Sequence, residues 1–334
     1  MARVTLADVA DAVGVSAKSV SNVVNGTGWV GEETRKRILA AIDELGYRPN
    51  LAARQLRGGT SGVLALAIPD LREPYFAEFV SRFVTAAQER ALNALIVQTG
   101  GERTAEKRAI EGEGLPALDG VVVSPLQLTS QDIRQHRGKT PLILVGEHGQ
   151  EISEPPAVHI GADNGAAARA ATSCLLKNGR KRVGVIGVQE EGSKATSRQR
   201  FQGYQSALEE AGIPFETALV GNVTDFNRSE GARATEGLLK RGADFDGLFC
   251  FNDTLALGAL HVLAANGISV PDAVEIIGFD DIDEGRFATP PLSTVNLGIS
   301  DAADIILDIV EGHREIDSGH VTVPFSVVRR STTR

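Results

Sequence analysis

The chain opens with three short helical periods. Leu6, Val9, Ala10 and Val13 recur at helical spacing, Thr5 suits an N-cap with Asp8 three residues on, and Gly14 supplies the stop. Ser16 then caps a second segment that places Val20, Val23 and Val24 on one face and Ala17, Lys18, Ser21 and Asn22 on the other. That segment, VSAKSVSNVVNG, is β-branched or short and polar almost throughout, a poor composition for a free helix. A third period puts Ile38, Leu39, Ile42 and Leu45 inward and Arg35, Lys36 and Arg37 outward, with Gly46 to end it. Two short helices joined at a glycine and backed by a third predict a helix-turn-helix. Its short outward side chains let the second helix approach base edges, and Lys18 and Asn22 can donate to them. A three-helix bundle that binds protein has the same pattern and stays open on the pattern alone.

The next stretch, YRPNLAARQLRGG, predicts one brief helix, with Asn50 as its cap and Gly58-Gly59 as its end. So short a helix is unstable alone in water. It is read either as a linker or as a hinge that folds on DNA, where Leu56, an apolar residue with no core to join, would wedge between base steps of the minor groove.

Beyond Gly62 the pattern changes. Apolar runs at 62–68, 93–99, 119–124, 141–146, 182–187, 246–251 and 274–279 alternate with helical periods at 75–92, 164–178, 198–212, 229–241 and 253–266. Alternating β and α predicts mainly parallel sheets wrapped by helices, and seven or more strands predict two lobes. The chain is expected to leave the first lobe near residue 161 and return near 292. The late run VTVPFSVVRRST suits crossover strands.

Composition adds little to this until it is divided. Of 34 Lys/Arg and 43 Asp/Glu, residues 1–60 hold eight and six, so a mildly basic head precedes an acidic body. The overall charge of −9 alone would have argued against nucleic acid. No apolar stretch approaches membrane-helix length, and Asp8 and Asp11 interrupt any signal-like start, so the chain reads as cytoplasmic. Cys174 and Cys250 lie in apolar settings and read as buried thiols.

Ligands of open α/β sheets sit beyond the carboxyl ends of the strands. The residues falling there are Tyr75 and Phe76, Ser124, Glu147, Lys194, Thr196 and Arg200, Phe226, Asn252, and Asp280. Aromatic faces beside carboxylates, an amide and an arginine suit a sugar. Capping of a helix is the simpler role for Asn252 or Asp253, and lobe core for Tyr75 and Phe76. No catalytic constellation accompanies them. GVQEEGSK places Ser193 between the glycine and lysine that a phosphate loop needs adjacent, and DDIDEG reads as turn carboxylates rather than a metal cluster.

VTLADVADAVGVSAKSVSNVVNG, ETRKRILAAIDELGYRPN and LAARQLRGG together resemble the DNA-binding head and hinge of the lactose-repressor (LacI/GalR) family of bacterial transcription factors. The body resembles that family's periplasmic-binding-protein-like domain. The resemblance implies a helix-turn-helix head over 1–48, a hinge helix and linker over 49–60, and an effector-binding and dimerisation body over 61–334. Its first lobe would comprise 61–160 and 292–322, its second 161–291 and 323–334. It implies a homodimer on pseudo-palindromic double-stranded operator DNA, with no cofactor, metal or membrane partner, repressing carbohydrate genes in response to a small sugar. A purine, nucleoside or sugar phosphate is the alternative effector, and an α/β enzyme fused to a DNA-binding head the alternative class.

Carried across by position, Ala17, Lys18 and Asn22 would read bases, and Leu56 would insert between Gln55 and Arg57. Thr5, Ser16, Ser21, Asn25 and Asn50 would contact or orient phosphates. Arg200, Asn252 and Asp280 match the residues that hold the effector, and Phe226 an aromatic wall. Two departures stand out. Asn22 occupies a position that is often arginine in the family, so adenine is expected where arginine would select guanine. Gly31 replaces the usual Ser or Thr cap of the third helix.

Overall fold

The computed structural model describes residues 4–47, 60–138, 140–190, 195–314 and 319–334. Asn50, Gln55, Leu56, Arg57 and Lys194 lie outside the described residues, as does the side chain of Asn25. The chain divides into two compact units, Met1–Ser61 and Gly62–Arg334.

The first unit holds α1 (Leu6–Val13), α2 (Ala17–Asn25) and α3 (Glu32–Leu45). α1 begins with a reciprocal capping box between Thr5 and Asp8 and ends on Gly14 in the left-handed conformation. The core is Val9, Ala10, Val13, Val20, Val23, Ile38, Ala41 and Tyr47. Val20 and Val23 are buried there, so tertiary packing offsets the low helix propensity of α2. α3 is rotated from the expected orientation. Ile38 and Ala41 face in, whereas Leu39 and Leu45 are exposed. Nor is Arg37 simply outward, since its guanidinium donates to Val13 O at 2.6 Å and caps the end of α1. Gly31 gives α3 no side-chain cap.

The second unit contains two α/β lobes. A six-stranded parallel sheet combines β1 (Val63–Ile68), β2 (Asn93–Gln98), β3 (Gly120–Val123), β4 (Leu142–Val145), β5 (Val158–Gly161) and β11 (His320–Thr322) in the order β11-β5-β4-β3-β1-β2. A four-stranded parallel sheet combines β6 (Val183–Val188), β7 (Val220–Asn222), β8 (Gly247–Cys250) and β9 (Glu275–Ile277) in the order β7-β6-β8-β9. Helices cover them: α4 (Pro74–Glu89), α5 (Arg103–Ile110), α6 (Ser130–Gln135), α7 (Gly146–Ile152) and α13 (Ile299–Val310) on the first, and α8 (Asn164–Lys177), α9 (Ala195–Glu210), α10 (Arg228–Lys240) and α11 (Asp253–Ala265) on the second. A short α12 (Asp283–Arg286) follows β9. β10 (Thr294–Asn296) and β12 (Ser326–Val328) pair antiparallel.

The return to the first lobe comes later than the sequence suggests. Leu292, Val295 and Leu297 are buried in the second-lobe core, and only from Ile299 does the chain rejoin the first. The crossings therefore fall at Gly161, Gly298 and Pro324. They run against one another: Val323 N donates to Gly161 O at 3.0 Å. A Cβ on Gly298 would lie 2.7 Å from Pro324 O, so this position admits only glycine. Among the described residues, no helix is long and apolar enough to cross a membrane.

Candidate functional site

In the head, Ala17 and Lys18 are exposed at the start of α2, while Ser21 and Asn22 are half-buried one turn on. Asn22 lies against the following turn, where a Cβ on Gly28 would come within 2.6 Å of its amide nitrogen. The hydroxyls of Thr5 and Ser16 accept from the backbone N–H groups of Asp8 and Ser19 and so cap their own helices. Trp29, in the turn between α2 and α3, is 91% exposed. The pattern reading passes over it because an isolated aromatic in a turn carries no period.

In the body, the strand-end residues converge where the lobes face each other. Glu147 stands on the first turn of α7, which leaves β4 with no intervening loop. Arg200 stands on α9 of the other lobe and is buried. Its Nη2 donates to Glu147 Oε1 at 2.7 Å, its Nε to Asn164 Oδ1 at 3.2 Å, and its Nη1 to Phe251 O. Asp280 Oδ1 lies 3.6 Å from Nη1, and the guanidinium carbon sits 3.9 Å from the centre of the Phe279 ring. Thr196 donates its hydroxyl to Glu147 Oε2 at 2.9 Å. One carboxylate thus joins two residues of the opposite lobe.

Burial pushes the Asp280 carboxyl up to about 7, with Arg200 opposing that rise and Glu147 adding to it. Burial likewise raises Glu147, but Arg200 and hydrogen bonds to its carboxylate overcome this, and it lies below the ordinary glutamate value. Asp280 and Asp281 both have positive φ, 107° and 57°, uncommon for non-glycine residues. What holds that turn is Asp253, which the sequence offered only as a cap. It is fully buried, accepts from Thr294 Oγ1 at 2.6 Å and from Ile282 N at 2.9 Å, and leaves no room for a side chain at Gly278.

Asn252 is the capping residue. Its Oδ1 accepts from Leu255 N at 2.9 Å and its Nδ2 donates to Phe226 O at 3.3 Å, so most of its polar capacity is spent inside the protein. Phe226 meets Phe251 edge-on, and Tyr75 meets Phe76 edge-on at the start of α4. Tyr75 packs against the second-lobe core and Phe76 against the first, so the core role weighed for them describes part of each. Ser124 is buried beside Gly146. Glu106, unremarked in the sequence, is wholly buried and accepts from the backbone N–H groups of Leu126, Gln127 and Leu128, fixing the turn after Ser124.

A three-helix head and a two-lobed α/β body with a polar cluster between its lobes define a class of protein that couples DNA binding to a small molecule. A family profile described as "Bacterial regulatory proteins, lacI family" matches residues 5–50, and one described as "Periplasmic binding protein-like domain" matches 172–333. The HTH-type transcriptional repressor PurR of Actinobacillus pleuropneumoniae serotype 5b is 31% identical over 312 residues, 92% of this chain and 91% of that protein. A solved regulator of the LacI family from Sanguibacter keddieii is 36% identical with a TM-score of 0.72, covering 81% of this chain and 98% of that one. A solved complex of the transcriptional regulator CelR with cellobiose is 28% identical with a TM-score of 0.66, covering 99% and 100%. The chain belongs to the lacI family of bacterial regulatory proteins. It is a ligand-responsive, DNA-binding transcriptional regulator and not an enzyme.

Proposed function

We propose that the protein is a homodimeric repressor whose operator affinity is switched by a neutral polyhydroxylated ligand, a sugar, held between the lobes. The observation that carries this is the Glu147–Arg200 ion pair across the lobes. Arg200 already has a carboxylate partner, and Asp280 adds a second acid beside it, so among the described residues the cluster offers no surplus positive charge to a phosphate. Tyr75, Phe76 and Phe226 supply ring faces, Thr196 and Ser124 supply neutral polar atoms, and Asn252 adds only what its cap and its bond to Phe226 O leave over. CelR, a relative solved with cellobiose, supports a sugar. A sugar phosphate, an alternative the sequence left open, fits this charge balance poorly.

Ala17, Lys18, Ser21 and Asn22 form the DNA-reading end of α2, with Thr5, Ser16, Asn25 and Asn50 beside the phosphates and Gln55, Leu56 and Arg57 in the minor groove. The body outside the head is 61–334, with its lobes divided at the three crossings rather than at residue 292.

A thermal-shift panel tests the ligand class, using neutral mono- and disaccharides with cellobiose among them, nucleosides, and sugar phosphates. A ligand at 100 times its Kd stabilises the folded state by about 2.7 kcal/mol. Neutral sugars are expected to raise Tm and sugar phosphates to leave it unchanged; the reverse pattern overturns the reading. Operator fragments selected from random DNA with the full chain supply the second readout. Arg200→Lys should keep operator affinity within about threefold and lose the sugar response, because an ammonium cannot reproduce the guanidinium's several directed bonds. An unchanged response would remove Arg200 from the site.

A further inference from the structure

At the edge of the six-stranded sheet the rings of two histidines meet edge to edge, His159 of β5 and His320 of β11, with ring centroids 4.8 Å apart and planes within 7°. His159 Nδ1 lies 2.7 Å from His320 Nδ1, and its Nε2 lies 2.8 Å from Gly146 O. His159 is 1% exposed. Two glycines make room for the ring: a Cβ on Gly161 would come within 2.9 Å of its Cε1, and one on Gly149 within 3.4 Å of its Cδ2.

These contacts fix where the protons are. A carbonyl only accepts, so His159 Nε2 carries a hydrogen. Burial and the neighbouring His320 pull the His159 imidazole down to about 4, so it is neutral at physiological pH and its Nδ1 is bare. His320 must then donate from Nδ1, whether it is itself neutral or charged. The result is a directional chain: His320 Nδ1–H to His159 Nδ1, and His159 Nε2–H to the carbonyl of Gly146.

That carbonyl opens α7. Gly146 has φ +81°, the preceding Val145 provides no side-chain cap, and the next residue is Glu147. At its other end the chain rests on β11, whose last residue Thr322 precedes the crossing at Val323–Pro324. We propose that His159 and His320 are positioning residues for the cleft, anchoring the Gly146 peptide and so setting the Glu147 carboxylate opposite Arg200. The proposal rests on the reading of Glu147 and Arg200 as part of the ligand site, but its test needs no ligand.

Nitrogen-15 NMR of the histidine-labelled full chain at neutral pH is expected to show His159 protonated at Nε2 alone and His320 protonated at Nδ1. His159 protonated at Nδ1, or doubly, overturns the proposal. Two variants then separate the hydrogen bond from packing. His159→Phe keeps the ring volume and loses the donor, whereas His159→Gln keeps a donor near Nε2 and loses the ring. In His159→Phe the amides of 147–151 should exchange at least about tenfold faster and the Arg200 Nε–H resonance should broaden, with exchange in α11 unchanged. In His159→Gln both should stay close to the parent. If the Gln variant is the more disturbed, or if neither moves, His159 only fills space and the proposal fails. Should His159→Phe not fold, the tautomers and the Gln variant still decide. Failure of every sugar to bind, with these results intact, would count against the ligand class and leave the anchoring of Glu147 standing.

Discussion

Asp280 shows how one residue reports its surroundings. Its folded carboxyl sits near 7 against an ordinary value of 3.8. Ionisation therefore opposes folding: the favourable contribution of the protonated form is complete below about pH 4 and is lost as pH rises to about 7. Asp280→Asn removes that loss. The Tm of the variant relative to the parent should grow from pH 4 to 7 and then level; a constant difference would mean that the carboxyl ionises normally. Trp29 makes the second residue-scale prediction. As the sole tryptophan, exposed in the turn after α2, its emission should change when operator DNA binds the head. Constant emission would place that turn away from the DNA. Residue types at strand ends were legible because strand ends are; Glu147, Thr196, Arg200 and Asp280 meet as the sequence suggests. The supporting residues were not legible. Asp253 and Glu106 act through backbone amides distant in sequence, and no local pattern marks such a partner.

Among elements, continuous apolar runs were a good guide to the buried strands, and helical period a looser guide to which face of a helix is packed. The runs at 62–68, 93–99 and 182–187 became strands with little change of bounds. α7 escaped because it continues β4 without a turn, and β5 because the histidine and glycine of VHIG leave no apolar run. The helix Ile299–Val310 carries Ala302, Ala303, Ile306 and Leu307 at helical spacing, a legible signal absent from the elements predicted above. Leu39 and Leu45 misled because α3 meets its neighbours on the Ile38–Ala41 face alone. The second lobe also packs helix on helix through glycine. A Cβ on Gly258 of α11 would lie 2.1 Å from Arg228 O, and one on Gly231 of α10 would lie 2.2 Å from Leu255 O. Gly258→Ala should cost about 1–3 kcal/mol by overpacking. Gly237→Ala, in the same α10 but with only ordinary contact near its Cβ, should instead gain about 0.5–1 kcal/mol. Denaturant unfolding of both variants checks the opposite signs, and like signs would refute the close approach.

At the scale of the whole molecule, the charge division has a functional sense. A head with slight positive excess on a body with 26 basic and 37 acidic residues gains little from charge alone on arbitrary DNA. The lobe boundaries were the least legible feature, since the spaced apolar residues Leu292, Val295 and Leu297 would suit either core.

The three crossings at Gly161, Gly298 and Pro324 lie side by side, one bonded to another and two too close for a side chain. A band of parallel straps bends readily about one line and resists twisting or sliding. Such straps favour one bending axis between the lobes, and the contact of Glu147 with Arg200 limits closure about it. Compounds of different shape would then differ in how far they move the lobes and not in which way.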